Sequence, residues 1–182
     1  MYGFTPEFVS LCFCIPSLIY AASSPFLFLI TERVPKRLVI ISGHILCATG
    51  MLIVGSSKFF GLENDANMVL AGLCVLGLSA SLIAIPVMPE CLEAIEDRTD
   101  LNYDPEEVNN LISGIFVTST GVGETLGPIA SSLLNKYFGF NLAQDCYAMF
   151  MMSYALMYIF LGGGRKILRS TETEKAKRQL SV

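Results

Sequence analysis

One carboxylic acid interrupts a long apolar stretch of this sequence. Glu124 is the only charged residue in the run 109–134, which is otherwise apolar and rich in small residues. An ionisable side chain near the middle of a membrane helix costs at least about 2.5–3.5 kcal/mol, so something must offset that cost. A water-filled cavity, a cationic substrate, a hydrogen-bonded partner or protonation could do so. Such a carboxyl group suits a residue that takes up and releases protons. The alternative is a protonated glutamate that only packs.

The polar residues around Glu124 recur at helical spacing. Ser113, Thr120, Glu124 and Ser131 fall on one face of a helix, which predicts a polar stripe along this run.

Small residues in the same run predict a close helix contact. Gly123 and Gly127 have the spacing that lets two helix backbones approach. Pro128 follows them and predicts a kink, because proline cannot donate to the carbonyl one turn earlier. Ordinary small-residue packing explains the same pattern.

The sequence offers little for other kinds of chemistry. His44 is the single histidine, and no cysteine, aspartate or glutamate stands near it at metal-ligand spacing. There is no G-x-S-x-G motif, no P-loop and no CxxC pair. We therefore expect no enzymatic activity, no cofactor and no metal site, and we expect the six cysteines to be small apolar residues of buried helices.

The elements that carry these residues are predicted to be membrane helices. The chain has 182 residues, 53% hydrophobic and only 15% charged, with a mean hydropathy of +0.57. This composition argues against a disordered chain, a nucleic-acid-binding protein and a small disulfide scaffold. The chain is too short to bury its apolar runs in protein, so lipid must cover them. We predict an all-α, polytopic membrane protein with five transmembrane helices, at about 8–30, 38–57, 68–89, 109–134 and 146–164, and a basic tail at 165–182.

The basic residues predict how these spans are oriented. With five spans, ten of the twelve Lys and Arg residues fall on one side, in the loops 31–37 and 90–108 and in the tail, and only Lys58 and Lys136 fall on the other. The positive-inside rule then predicts an extracytoplasmic N-terminus and a cytoplasmic C-terminus. Pro86 and Pro89 are expected to close the third span, followed by a short surface helix over 89–97.

Taken together, these motifs resemble the major facilitator superfamily, and within it the vesicular amine transporter family and its polyamine branch. Residues 20–25 and 31–33 resemble its eighth helix and the loop that follows, 85–90 the end of the tenth helix, and 113–128 with 137–140 the eleventh helix and its exit. The chain would then hold helices eight to twelve, which form most of the C-terminal half of the fold. Val117 stands where amine transporters of the family carry an acid, so monoamine specificity does not follow.

The resemblance implies a transporter of small, cationic, amine-like solutes that works as a proton-coupled antiporter by alternating access. Glu124 would bind a proton and the substrate in turn, with Thr120 and Tyr20 beside it. Glu32, where the family usually has Asp, would form a cytoplasmic gate with Arg33, Lys36 and Arg37. Besides the lipid bilayer, the implied partners are protons, a small-molecule substrate and a missing N-terminal half or partner chain. The alternative function is a truncated, non-transporting membrane protein that binds or regulates a partner transporter.

Overall fold

The computed structural model describes residues 6–57, 61, 65–96 and 104–161. These residues form four α-helices: α1 (Pro6–Thr31), α2 (Lys36–Val54), α3 (Ala66–Glu96) and α4 (Pro105–Leu161). The described part of the chain contains no β-strand. Helices satisfy every backbone hydrogen bond within one segment, which suits apolar runs in lipid. The prediction of an all-α protein is confirmed, and the predicted tail 165–182 lies outside the described residues.

Prolines do not end the third helix. The sequence predicted that Pro86 and Pro89 close the third span and that a separate surface helix follows, and this is wrong because α3 continues to Glu96. Each proline removes one hydrogen bond to the carbonyl a turn earlier. Membrane helices tolerate this loss where neighbouring helices pack against the site, and Pro86 is fully buried.

A single glycine divides α4 into two segments. Gly139 has φ 78° and ψ 166°, in the left-handed range that a residue without Cβ adopts easily. Gly127 before it and Met151 after it line one cavity, whereas a straight helix would separate them by about 36 Å. The chain therefore turns back at Gly139. The fourth predicted span, 109–134, lies in segment 105–138. Of the fifth, 146–164, residues 146–161 lie in segment 140–161 and the rest lie outside the described residues.

Close glycine contacts set the packing of α2 on α3. A Cβ atom added to Gly43 would lie 2.8 Å from Ile83 Cγ1, one at Gly50 would lie 2.9 Å from Leu76 Cδ2, and one at Gly72 would lie 2.6 Å from Val54 Cγ2. Residue numbers rise along α2 as they fall along α3, so these two helices are antiparallel.

The first helix runs parallel to α3 and contacts it over two turns. A Cβ atom at Gly77 would lie 2.6 Å from the Pro16 carbonyl oxygen. Further along, the hydroxyl groups of Ser23 and Ser81 are 2.7 Å apart and share a hydrogen bond.

The segment 140–161 packs antiparallel on α2. Gly55 meets Gln144 at one end of this contact, and the His44 ring stacks on Tyr154 further along, with 4.9 Å between ring centroids. Along this chain, consecutive helical segments thus alternate in direction, as in a protein that crosses a membrane repeatedly.

Three helices of the described chain are long and apolar enough to cross a membrane, at Ser10–Thr31, Lys36–Val54 and Ala66–Ile95. Their outer faces present large apolar side chains, among them Phe13, Leu18 and Phe26 of α1. Surfaces of this kind are covered by lipid or by other protein.

The glycine contact between α1 and α3 can be tested with one methyl group. We expect Gly77→Ala to lower the free energy of unfolding by about 1–3 kcal/mol, because the new Cβ meets backbone atoms that cannot rotate away. The measurement is SDS-titrated unfolding of the purified chain in detergent. Gly121→Ala is the matched control, since no atom lies within 4 Å of its Cβ position, and it should change stability by less than about 0.5 kcal/mol. Equal stabilities of the two variants would contradict the contact.

Candidate functional site

The polar stripe predicted around Glu124 lies on an exposed face of segment 105–138. The Glu124 side chain is exposed, and residues 117–133 are exposed throughout. Thr120 donates its hydroxyl hydrogen bond to the Phe116 carbonyl oxygen at 2.9 Å, and Ser113 donates to Asn109 at 2.8 Å. These two hydroxyls bond to carbonyl groups of their own helix, and Glu124 is the only charged residue of the run 109–134.

The predicted close helix contact is not made by any described residue. Nothing in the described chain lies within 4 Å of the Cβ positions of Gly123 and Gly127, and the same holds at Gly114 and Gly121. The helix continues through Pro128 without a residue of non-helical backbone there. Gly123 and Gly127 therefore lie on one face of this segment and Gly114 and Gly121 on the opposite face, and both faces are uncovered within the described chain.

Tyr20 lies on α1 and is 38% exposed. Its carbonyl oxygen accepts hydrogen bonds from the hydroxyls of Ser23 and Ser24, at 3.2 and 2.6 Å. Within the described residues no hydrogen bond joins Tyr20 to Thr120 or Glu124. The chain does not by itself bring the three predicted pathway residues together.

A cavity that the sequence did not predict lies where α2 ends and the chain turns back. Its volume is about 530 Å³, within the range of small-molecule sites. Most of its walls are apolar, and the polar residues lining it include Ser131, Gln144 and Tyr147. In the sequence, the feature that could have predicted a polar wall of this cavity is the group of polar residues 144–147, just before the fifth apolar run.

Ion pairs link α2 and α3 at the opposite end of the helices. Lys36 pairs with Glu93, and Arg37 pairs with Glu90; these four residues are the charged cluster. Tyr158 of segment 140–161 lies close enough for the charges of Arg37 and Glu90 to act on its hydroxyl group. The charged cluster therefore links α2 to α3 at this end, and Tyr158 of segment 140–161 lies near it.

Two of the four predicted gate residues, Lys36 and Arg37, thus meet acidic partners in the last turns of α3. The other two, Glu32 and Arg33, are exposed in the short connection between α1 and α2. Its turn is held by the Arg33 amide, which donates to the Ile30 carbonyl oxygen at 2.9 Å. A gating role for the four residues remains a prediction.

His44 is buried inside the helix packing. Its Nδ1 atom lies 2.8 Å from the Ile40 carbonyl oxygen, and its ring stacks on Tyr154. In the described ranges no group of three or more His, Cys, Asp or Glu residues could hold a metal ion. All six cysteines lie in those ranges and are free thiols.

Long apolar helices, alternating directions and apolar outer faces define the chain as an α-helical integral membrane protein. Its curated relatives are transporters. The chain is 26% identical over 165 residues to the MFS-type transporter SLC18B1 of Mus musculus, which covers 87% of this chain and 36% of the relative. It is 25% identical over 165 residues to SLC18B1 of Rattus norvegicus, with the same coverage. It is 26% identical over 171 residues to SLC18B1 of Homo sapiens, covering 90% of this chain and 37% of the relative.

These relatives confirm the resemblance to major facilitator transporters of the vesicular amine transporter-like family. The chain spans little more than a third of the length of each relative. No family model matches the chain. No solved structure matches it either.

The two ion pairs of the charged cluster should differ in strength. Arg37 and Glu90 are 22% and 13% exposed, whereas Glu93 is 57% exposed. We expect Arg37→Gln to lower the free energy of unfolding by about 1–3 kcal/mol, because it leaves a largely buried carboxylate without its partner. Lys36→Gln should cost less than about 1 kcal/mol, since its partner is solvated.

The same unfolding assay measures the single variants, and a double-mutant cycle measures the coupling of Arg37 with Glu90. Adding Glu90→Gln to Arg37→Gln should restore part of the lost stability, because the unpaired charge is removed. A Lys36→Gln variant less stable than Arg37→Gln would contradict this assignment.

Proposed function

We propose that this chain supplies the last five transmembrane helices of a transporter that exchanges protons for small, cationic, amine-like solutes. Similarity to the SLC18B1 transporters over 87–90% of the chain is the observation that carries the proposal. The alternating direction of the helical segments, with one turn at Gly139, supports it.

The exposed glycine groove and the Glu124 face are the proposed contact surface for the rest of the transporter. Transporters of this kind bind substrate near the bilayer midplane between two halves that rock about the site. A second half seated on the groove formed by Gly123 and Gly127 would enclose Glu124, which is exposed in this chain. The missing N-terminal half or a separate partner chain would fill this place.

Charge balance explains how Glu124 would couple two fluxes. A carboxylate enclosed in a low-dielectric site is costly unless a proton or a cation neutralises it. Binding of one neutralising species then displaces the other, which is the requirement for antiport. Thr120 and Tyr20 would contribute neutral hydrogen-bonding groups to a cationic substrate once the halves meet.

The charged cluster is the proposed cytoplasmic gate. It joins α2 to α3 at the end where the short loop with Glu32 and Arg33 lies. The clustering of Lys and Arg on that side of the predicted topology supports a cytoplasmic location. Breaking and re-forming such pairs would open and close that end.

A second candidate is a non-transporting membrane protein that regulates a partner transporter. The same uncovered glycine groove favours it, because the groove would bind the partner's helices. An antibody against residues 165–182 separates the two candidates. A native band more than twice the mass of this 19.9 kDa chain supports the transporter, and a single band near that mass supports the regulator.

Removing the charge of Glu124 tests the coupling mechanism. In the intact transporter, we expect Glu124→Gln to reduce uptake of labelled spermidine driven by a pH gradient about tenfold or more, because an amide cannot take up and release a proton. Uptake is measured in vesicles of defined internal pH, with serotonin as a monoamine comparison.

Glu107→Gln is the control for that experiment. It removes one negative charge at the exposed start of segment 105–138 and should leave uptake within about twofold of wild type. Unchanged pH-driven uptake in Glu124→Gln would overturn the proposed role of this residue.

The orientation can be tested with epitope tags. We expect a tag placed after Val182 to be stained when only the plasma membrane is permeabilised, because the basic tail is proposed to be cytoplasmic. A tag placed before Met1 should be stained only after all membranes are opened. The reverse staining pattern would contradict the proposed topology.

A further inference from the structure

Exposed aromatic side chains surround the turn at Gly139. Tyr137 is 73% exposed, Phe138 is 56% exposed and Phe140 is 50% exposed. The Lys136 ammonium lies 5.9 Å from the centroid of the Tyr137 ring, which is within cation–π range. We call residues 136–140 the aromatic turn. Turns that face water usually carry small or polar residues, so three exposed rings around one turn indicate different surroundings.

The length of α2 locates the two boundaries of the hydrocarbon layer. This helix has 19 residues, is apolar enough to cross a membrane and is about 29 Å long, close to the hydrocarbon core thickness of about 30 Å. The charged cluster lies at its first residues, and ion pairs of this kind belong outside the hydrocarbon. The opposite boundary therefore lies near Val54, where α2 ends.

The aromatic turn lies just outside that second boundary. An added Cβ atom at Gly55 would lie 2.5 Å from Gln144 Cβ, so Gln144 is level with the end of α2. Segment 140–161 is antiparallel to α2, so Phe140 lies beyond this level, by about 6 Å for four residues of helix. Lipid headgroups occupy about 5–8 Å outside the hydrocarbon core on each side. The turn thus falls within the headgroup layer.

The residues of the aromatic turn have the chemistry that suits this layer. Tyr137 has an apolar ring and a polar hydroxyl group, which favour the boundary between hydrocarbon and water. Lys136 has an apolar stem that can lie along hydrocarbon while its ammonium reaches charged groups. Phospholipids supply a phosphate for that ammonium at this depth, and charge-assisted hydrogen bonds to phosphate are strong.

We propose that the aromatic turn binds the phospholipid headgroup layer and so fixes the depth of segments 105–138 and 140–161 in the membrane. Lys136 binds lipid phosphate groups, and the Tyr137 ring lies among the glycerol groups. Phe138 and Phe140 enter the outermost part of the acyl chains. Lipid fits this surface better than a second protein does, because a protein would have to supply an acid to Lys136 and close contacts to all three rings. This surface does not depend on the proposed transport function or on which side of the membrane it faces.

A single tryptophan tests where the turn lies. The chain has no tryptophan, so Tyr137→Trp introduces the only indole fluorescence. The full chain is reconstituted in phosphatidylcholine vesicles whose acyl chains carry bromine either next to the headgroup or near the chain end. We expect shallow bromine to quench this tryptophan at least about twofold more than deep bromine, because the two bromine positions differ in depth by most of one leaflet.

Phe150→Trp is the matched control on the same segment. Phe150 is 64% exposed and lies six residues after Gln144, about 9 Å inside the hydrocarbon boundary. Deep bromine should quench this tryptophan more strongly than shallow bromine does. Phe138→Trp is a second reporter of the turn and should behave as Tyr137→Trp does, so the test does not depend on one variant.

Lysine variants test the contact with phosphate. In the Tyr137→Trp chain, we expect Lys136→Glu to raise quenching by aqueous acrylamide about twofold, since lipid phosphates repel the new carboxylate and the turn moves toward water. Lys136→Arg keeps a cation that binds phosphate and should leave both kinds of quenching unchanged.

Four results would overturn the proposal. Strong quenching of Tyr137→Trp by acrylamide, with none by either brominated lipid, would place the turn in water. Stronger quenching by deep than by shallow bromine would place it in the hydrocarbon. Quenching by neither lipid nor acrylamide would show that protein covers it. Unchanged quenching in Lys136→Glu would show that Lys136 does not bind phosphate.

Discussion

The close approach of α3 to its neighbours is the contact on which the rest of this structure depends. At Gly77 the α1 backbone comes within 2.6 Å of where a Cβ atom would lie, and at Gly72 the Val54 side chain does the same. Lipid chains are as apolar as the helix surfaces, so hydrophobic burial cannot hold such helices together. Close packing at small residues does so instead, and it places α2 where segment 140–161 can pack on it.

This constraint also sets where polar groups can lie. The charged cluster joins α2 to α3 at one end of the packed helices, with Tyr158 near it, and the buried polar residues Ser56, Ser57 and Asp145 lie toward the other end. Between them the contact between α2 and segment 140–161 is made by small or flat groups, such as Ala48, Ala148 and the His44–Tyr154 stack. The described ion pairs therefore lie at one end of this packed unit, whereas its middle holds the His44 ring and hydroxyl contacts such as Ser23–Ser81.

Segment 105–138 is not packed in the way that α2 and α3 are. It has the small residues of a packed helix, but its glycines meet nothing within the described chain. This exposed helix is the surface on which we propose that the rest of the transporter packs. Glu124 lies on this segment, which is why the proposed transport site depends on what covers it.

The sequence by itself determined the class of this protein, its helical nature and its resemblance to major facilitator transporters. Long uncharged runs leave helices as the one way to satisfy the backbone in lipid, and local patterns such as Gly123 with Gly127 are visible without a fold. Periodicity also predicted a polar face around Glu124, since it depends only on spacing along one helix, whereas in the structure residues 117–133 are exposed on every side of that helix.

Only the tertiary structure decided which groups meet. The sequence placed the end of the third helix at its prolines, but the packing around Pro86 lets α3 continue to Glu96. It assigned Asp145 to a connection before the fifth span, whereas contact between the ends of α2 and segment 140–161 buries that carboxylate. Contacts between residues far apart in the chain, such as Gly55 with Gln144 or Arg37 with Glu90, depend on how helices approach one another. That approach is decided by side-chain packing in three dimensions, which the spacing of residues along one helix does not specify.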